Sequence, residues 1–379
     1  MRCLALAVQR AAQRLGAVRP CAQALTVPFL LVAACSYADE FGARPVVVPD
    51  QAVVAAGAAA PIVPTGDANI AQAPSIPAAA SSEYPLDVAP PLLSQTGLYS
   101  STTTRTLAPN VEVFSPAYPL WSDAAGKLRW VSLPAGAQID TSDMDLWKLP
   151  VGTKLWKEFE KQGHVLETRY MVKHGPSESD WLFIAYHWNA EQTDAVAVPE
   201  GVPDADGSHD IPSTTTCKQC HNAQPMAALG FSALQLSHTG PGLTLDALSA
   251  SGRLSAPPAA PLTIPGDPTS AQALGYLHGN CGGCHNAWAP HNFGVPETKV
   301  VFWQSANQLG ALEQTTTYVN LVINTGGDLT RLQHGLNRMK QRDPYLQMPP
   351  LGTEVVDTEG VALIETWLNQ LQARVATQP

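Results

Sequence analysis

Charge is scarce in this chain, and positive charge most of all. Charged residues make up 14% of the 379 positions, 22 basic against 32 acidic, for a formal net charge of −10. That balance repels polyanions and argues against nucleic acid as a partner. Long apolar runs are also missing. The stretch Ala24–Ala34 is interrupted by Pro28, and it falls short of the roughly 20 residues that a membrane-crossing helix needs. Cysteine is sparse, with seven in all, and each of the seven has a reading that leaves none for a disulfide or a catalytic thiol.

Four of the seven cysteines lie in two copies of one pattern. The first is Cys217-Lys218-Gln219-Cys220-His221 and the second is Cys281-Gly282-Gly283-Cys284-His285. With seven Cys and ten His in the chain, chance supplies about 0.003 such C-x-x-C-H runs. A zinc ribbon spaces its C-x-x-C pairs roughly 15–20 residues apart, and here about 60 residues intervene. A pair of local disulfides does not call for His after each pair. The pattern is the attachment signature of c-type haem: two thiols add to the vinyl groups of one porphyrin, and the adjacent imidazole binds its iron. Two covalently bound haems are therefore expected. Cys217, Cys220, Cys281 and Cys284 are the attachment points, and His221 and His285 are the proximal ligands.

The segments before and after the second run suggest helices. Leu274, Leu277, His278 and Cys281 recur at i, i+3, i+4, i+7, so one helical face carries apolar side chains and the first thiol. Thr269 or Ser270 is the expected N-cap. A closing helix is expected over Asp357–Ala373, capped by Asp357, with Val361, Ile364, Leu368 and Leu371 as its buried stripe and Trp367 beside it. Between them lies Met348-Pro349-Pro350-Leu351. A thioether is a soft, neutral ligand that raises the potential of a haem iron, and prolines stiffen the loop presenting it. Met348 is the expected distal ligand of the second haem, with Met339 as the alternative and a plain core role as the competing explanation.

The chain begins with Arg2, Arg10, Arg14 and Arg19 and no acid before the apolar stretch, which is the pattern of an export signal over residues 1–34. Val32-Ala33-Ala34-Cys35 resembles a bacterial lipobox, with Cys35 as the lipidated residue. Cleavage after Ser36-Tyr37-Ala38 is the alternative. Ser36 after the Cys, by similarity to Gram-negative lipoproteins, implies the outer membrane, so the protein is placed in the cell envelope, in the periplasm or lipid-anchored to the outer membrane. Cys3 and Cys21 leave with the signal. Without its four arginines the chain carries 18 basic against 32 acidic residues, a net −14, which favours a redox partner protein with a basic docking face. Residues 35–83, rich in Ala, Pro and Val, are expected to be a tether.

Residues 84–213 have β patterning. Lys127–Leu133, Lys154–Glu160 and Leu166–Lys173 are the expected strands, and Trp181–Trp188, apolar on both faces, is expected to be central. In Leu166–Lys173 the positions Leu166, Thr168, Tyr170 and Val172 face one way, and Glu167, Arg169 and Lys173 the other. Residues 214–267 form a first haem segment, with short helices expected over Leu229–Leu236 and Leu243–Leu248. Residues 268–379 form the last region.

Several pieces of residues 84–379 appear in the order seen in one group of proteins. They include Pro119-Leu120-Trp121-Ser122-Asp123, Leu149-Pro150-Val151-Gly152-Thr153, Glu167-Thr168-Arg169, Tyr186-His187-Trp188-Asn189, Gln192-Thr193-Asp194-Ala195, Cys217–Asn222, Tyr276–His285 and Met348–Leu351. In these the chain resembles a family of largely uncharacterised bacterial dihaem c-type cytochromes. The resemblance implies haem binding, electron transfer and a cytochrome c-like fold from Pro268 onward, and it names no substrate. The expected fold class is α+β, an antiparallel β-sandwich-like domain followed by a mostly α-helical cytochrome c-like dihaem region.

The first haem has no obvious distal ligand. Met226, five residues beyond His221, must send its sulfur around the porphyrin edge, and five residues span only ~16 Å at full extension. His238, His278, His187, His209 and Met339 are the other candidates. A six-coordinate first iron makes an electron carrier. A five-coordinate one makes a dihaem enzyme such as a peroxidase, which needs an acid–base group over its open face.

Overall fold

The computed structural model describes residues 84–377 apart from 204, 206–208, 225 and 290–299. The export signal, the tether and the expected lipidation at Cys35 lie outside the described residues. The fold class is α+β, with two antiparallel sheets followed by helices. A small hairpin pairs β1 (Tyr99–Ser101) with β2 (Thr106–Leu107). The main sheet is a six-stranded meander of β3 (Glu112–Val113), β4 (Gly126–Ser132), β5 (Lys154–Lys161), β6 (His164–Lys173), β7 (Trp181–Trp188) and β8 (Ala195–Ala197). The four long strands are those the alternation marked. β7 lies between β6 and β8, and it is apolar on both faces because Trp181 and Phe183 enter one apolar cluster while Ile184, Tyr186 and Trp188 enter another.

One face of this sheet is an aromatic layer. Trp130, Trp156, Tyr170 and Ile184 stand directly across from one another on β4 to β7. Trp156 and Tyr170 stack at 5.5 Å, and the hairpin with Leu93 and Leu98 covers them. The opposite face carries Val131, Leu155, Met171 and Phe183 in register. It is covered by Met226, Phe231, Leu236, Leu245 and Leu248 of the segment after the sheet. That segment holds α1 (Thr214–His221), α2 (Ala233–Leu236) and α3 (Leu245–Ala250). In place of two comparable sheets, the meander therefore has a hairpin on one side and the first C-x-x-C-H segment on the other.

This packing corrects the reading of β6. The charged side of the strand is not a solvent face, since Glu167 is fully buried and Lys173 is 2% exposed. A bulge between Phe159 and Glu160 also shifts the register. Val165, not Leu166, joins the aromatic layer.

The remaining helices are α4 (Pro268–Asn280), α5 (Thr316–Tyr318), which runs on as a π-turn, α6 (Thr330–Met339) and α7 (Thr358–Thr377). The N-cap of α4 is neither Thr269 nor Ser270. Asp267 accepts from the Ser270 amide at 3.1 Å, and Pro268 fills the first helical position, where no N–H is needed. Asp357 caps α7 by accepting from Gly360 N at 2.9 Å. α4 crosses α7 closely because a Cβ on Gly360 would collide with the Tyr276 ring. Ile364, Trp367, Leu368 and Leu371 of α7 are buried against Leu274 and Leu277 of α4. No helix among the described residues is long and apolar enough to cross a membrane.

Candidate functional site

Each C-x-x-C-H run is built by a different kind of element. The first lies on α1, whose cap is Ser213 accepting from Thr216 N. This helix is seated on β7, where Thr214 Oγ1 donates to Phe183 O at 3.3 Å. The second follows α4 as a tight turn, with Cys284 N and His285 N both donating to Cys281 O. Gly282 is required there, because a Cβ would come within 2.6 Å of the His278 carbonyl.

The fold brings the two runs together. The Cys220 and Cys284 thiols are close neighbours, and their interaction raises the Cys284 thiol and lowers that of Cys220. Asn286, fully buried, donates through Nδ2 to Gly282 O at 3.0 Å and Gly283 O at 2.9 Å in the second run. The same group donates to Ala223 O, just past the first run, at 3.3 Å. Cys217 packs against the sheet's apolar cluster and Cys281 against the helical one. The four thiols are free, and burial pushes Cys281 up to about 12. No group of three or more His, Cys, Asp or Glu converges as a chelate among the described residues.

Both histidines are held in the way that suits an iron ligand. His221 Nδ1 lies 2.6 Å from Ala227 O, its ring packs 5.0 Å from Phe183, and burial lowers its pKa to about 4. Burial also lowers His285, which hydrogen-bonds the Val300 backbone and lies 5.4 Å from the Phe302 ring. A ligating imidazole characteristically gives one ring N–H to such a partner, and this fixes the tautomer and frees the other nitrogen. The donor set, two thiols and one backbone-tethered neutral imidazole per run, fits a c-type haem at each site.

The distal candidates separate clearly. Met348 is partly buried, and its amide donates to Arg338 O at 3.1 Å. Arg338 also grips the loop through Leu346 O at 2.7 Å, and its charge lowers His285 after burial does. Arg338 thus links the Met348 loop to the second run. Met339 is buried in the helical core. Met226 Sδ accepts from Trp147 N at 2.9 Å inside the sheet's core. His238 uses both ring nitrogens, on Ser115 O and Gly240 N. His278 Nδ1 accepts from Gln304 N at 3.1 Å, which leaves the proton on its other nitrogen. His209 Nε2 is bonded to Glu167 Oε1 at 2.8 Å. His187 alternates with Phe183 and Ala185 on the face of β7 that carries the first run.

Sequence reasoning missed several contributors. Trp121 N donates to Asn280 Oδ1 at 2.7 Å, and Asp123 accepts from Glu354 N at 3.0 Å and Val355 N at 2.9 Å. The segment Pro119–Asp123 therefore clamps the end of α4 to the end of the Met348 loop. Lys157 and Arg169, on β5 and β6, lie close enough to His221 to lower it further. No family model, no curated protein and no solved structure matches this chain.

Proposed function

We propose that the protein is a dihaem c-type cytochrome that transfers electrons in the bacterial cell envelope. The observation that carries this reading is the direct contact of the two C-x-x-C-H runs, Cys220 against Cys284, each run ending in a backbone-tethered imidazole. A bound haem supplies a one-electron ferric/ferrous couple. The chain attaches it through Cys217 and Cys220 or Cys281 and Cys284. His221 and His285 would hold the two irons, and Met348 would complete the second site. Ala227 and Val300 keep the imidazoles oriented, and the two apolar clusters keep water away from the attachment points. Groups held at touching attachment points are neighbours, which suits passage of electrons from one to the other.

Thioether attachment takes place outside the cytoplasm, in agreement with an export signal and with lipidation at Cys35. A Cys35→Ser variant is expected to move from the membrane to the soluble fraction. A native protein that is already soluble would overturn the anchor. The acidic balance favours a redox partner with a basic docking face. The test of the main reading is a pyridine haemochrome assay on denatured, acid-extracted protein, with two haems per chain expected. One haem, or haem lost to solvent, would overturn it.

A second reading, a dihaem enzyme such as a peroxidase, is favoured by one observation. Glu167 is bonded to both Arg169 and His209 beside the first run, which supplies acid–base groups of the kind an open iron would use. Cyanide binding to one ferric haem would select this reading, and no binding would select the carrier.

A further inference from the structure

The sheet face under the first run carries a row of like charges. Arg129 on β4, Lys157 on β5 and Arg169 on β6 stand directly opposite one another across three adjacent strands, and Ala185 on β7 completes the rung. Like charges directly opposite in a sheet oppose its formation. One carboxylate answers the row. Glu167 binds Arg169 through two hydrogen bonds, at 2.6 and 3.0 Å. Arg129 is 8% exposed, and its guanidinium has no hydrogen-bond or ion-pair partner among the described residues. Lys157, partly buried, has no ion pair among the described residues: its Nζ lies 4.7 Å from the Phe159 ring, and Glu167, already bound to Arg169, is the carboxylate that acts on it from a distance. Burying a cation without an anion is strongly unfavourable, so the row calls for an anion from outside the polypeptide.

The row also lies beside the first attachment point. Phe183, against which His221 packs, shares its face of β7 with Ala185, two residues or ~6.6 Å further along the strand. We propose that Arg129 and Lys157 bind the two propionate carboxylates of the first haem, with Arg169 held beside them by Glu167. This rests on the dihaem reading above. Two cations lack a carboxylate and one haem carries two. The planar fork of Arg129 suits bidentate carboxylate binding. Burial and the flanking Arg129 and Arg169 hold Lys157 well below the ordinary ammonium range, and an anion on the row restores its charge. Among the described residues the second run has Arg338 near His285 and apolar side chains around Cys281.

The test uses the exported full-length protein. A haemochrome count below two in the native chain refutes the dihaem reading itself and is measured first. With two haems present, Arg129→Gln removes a positive charge near one iron and favours its ferric form. The expected result is a fall in the midpoint potential of one haem by at least a tenfold change in its ferric/ferrous ratio, about 59 mV for one electron. The other haem stays unchanged, and so do both haems in the exposed-lysine control Lys148→Gln. If Arg129→Gln fails to mature, Lys157→Gln carries the same expectation. No shift, or an equal shift in both haems, overturns the proposal. Titrating the native protein with inorganic phosphate or sulfate at constant ionic strength separates the sources of the anion. No saturable change in potential is expected, and a saturable change lost in Arg129→Gln would assign the row to a free oxoanion instead.

Discussion

Around Cys217–His221 the described neighbours come from a β-sheet and include Lys157 and Arg169, whereas around Cys281–His285 they come mainly from helices and are largely apolar, with Arg338 as the nearby charge. The first histidine rests on Phe183 with Lys157 and Arg169 nearby. The second rests on Phe302, with the Met348 loop reached through Arg338. The same five-residue pattern thus sits in two electrostatic settings. Axial ligand, burial and nearby charge set the potential of a haem, so identical motifs in one chain need not give identical redox centres. On the dihaem reading proposed above, the closeness of Cys220 and Cys284 would set the two centres side by side.

The largest expected effect separates the two sites outright. Cys217→Ser with Cys220→Ser is expected to remove one haem completely while the remaining haem keeps its methionine-type spectrum. A spectrum that loses the methionine signature would mean that the loop serves the first site. Next comes the distal side of the second site. Met348→Ala is expected to abolish a near-infrared ferric charge-transfer band and to lower the potential of one haem, with both haems still attached. Met339→Ala is expected to keep the band while costing about 2–5 kcal/mol of stability as a core truncation. If the two variants exchange phenotypes, Met339 is the ligand.

A smaller effect tests how far burial governs the helical half. His278 is 4% exposed, and burial lowers its pKa to about 4. Its unfolded form takes up a proton below the ordinary imidazole value of about 6.5 while the folded form does not, so folded-state stability falls as pH drops from 6.5 toward 4. Between pH 7 and pH 5 this amounts to about 2 kcal/mol, and denaturant midpoints of His278→Gln are expected to lose that part of the pH dependence. The smallest effect concerns the clamp between halves. Asp123→Asn weakens two charge-assisted bonds to Glu354 and Val355. A cost of about 0.5–1.5 kcal/mol is expected, because both bonds are exposed to solvent and Asn keeps an acceptor oxygen, together with thermal loss of the near-infrared band at a lower temperature than global unfolding. Coincident loss of both would mean that the loop has no independent mobility.

Much of the local structure was legible in the sequence. The four long strands follow from alternation, Asp357 from capping chemistry, and the buried stripe of α7 from its 3.6-residue period. The short strands β3 and β8 and the hairpin escaped notice because two or three residues carry no period. The Thr269/Ser270 cap was missed because Pro268 is itself at the first helical position, which moves the cap to Asp267. That the polar side of β6 is buried was not legible for a deeper reason. Alternation reports two faces, and it does not report that a later segment covers the charged one.

By itself, then, the sequence determined the two C-x-x-C-H runs on which the proposed haem attachment rests, because thiols and imidazole three and four residues apart need no distant partner to be recognised. It also determined most elements, because propensity, caps and periodicity act within a few residues. Only the tertiary structure decided which of these meet. Cys220 and Cys284 are 64 positions apart, and Arg129, Lys157 and Arg169 lie on separate strands. Asp123 reaches the Met348 loop from more than 200 residues away. Such contacts depend on strand register and on the packing of two apolar clusters, and no local pattern encodes either.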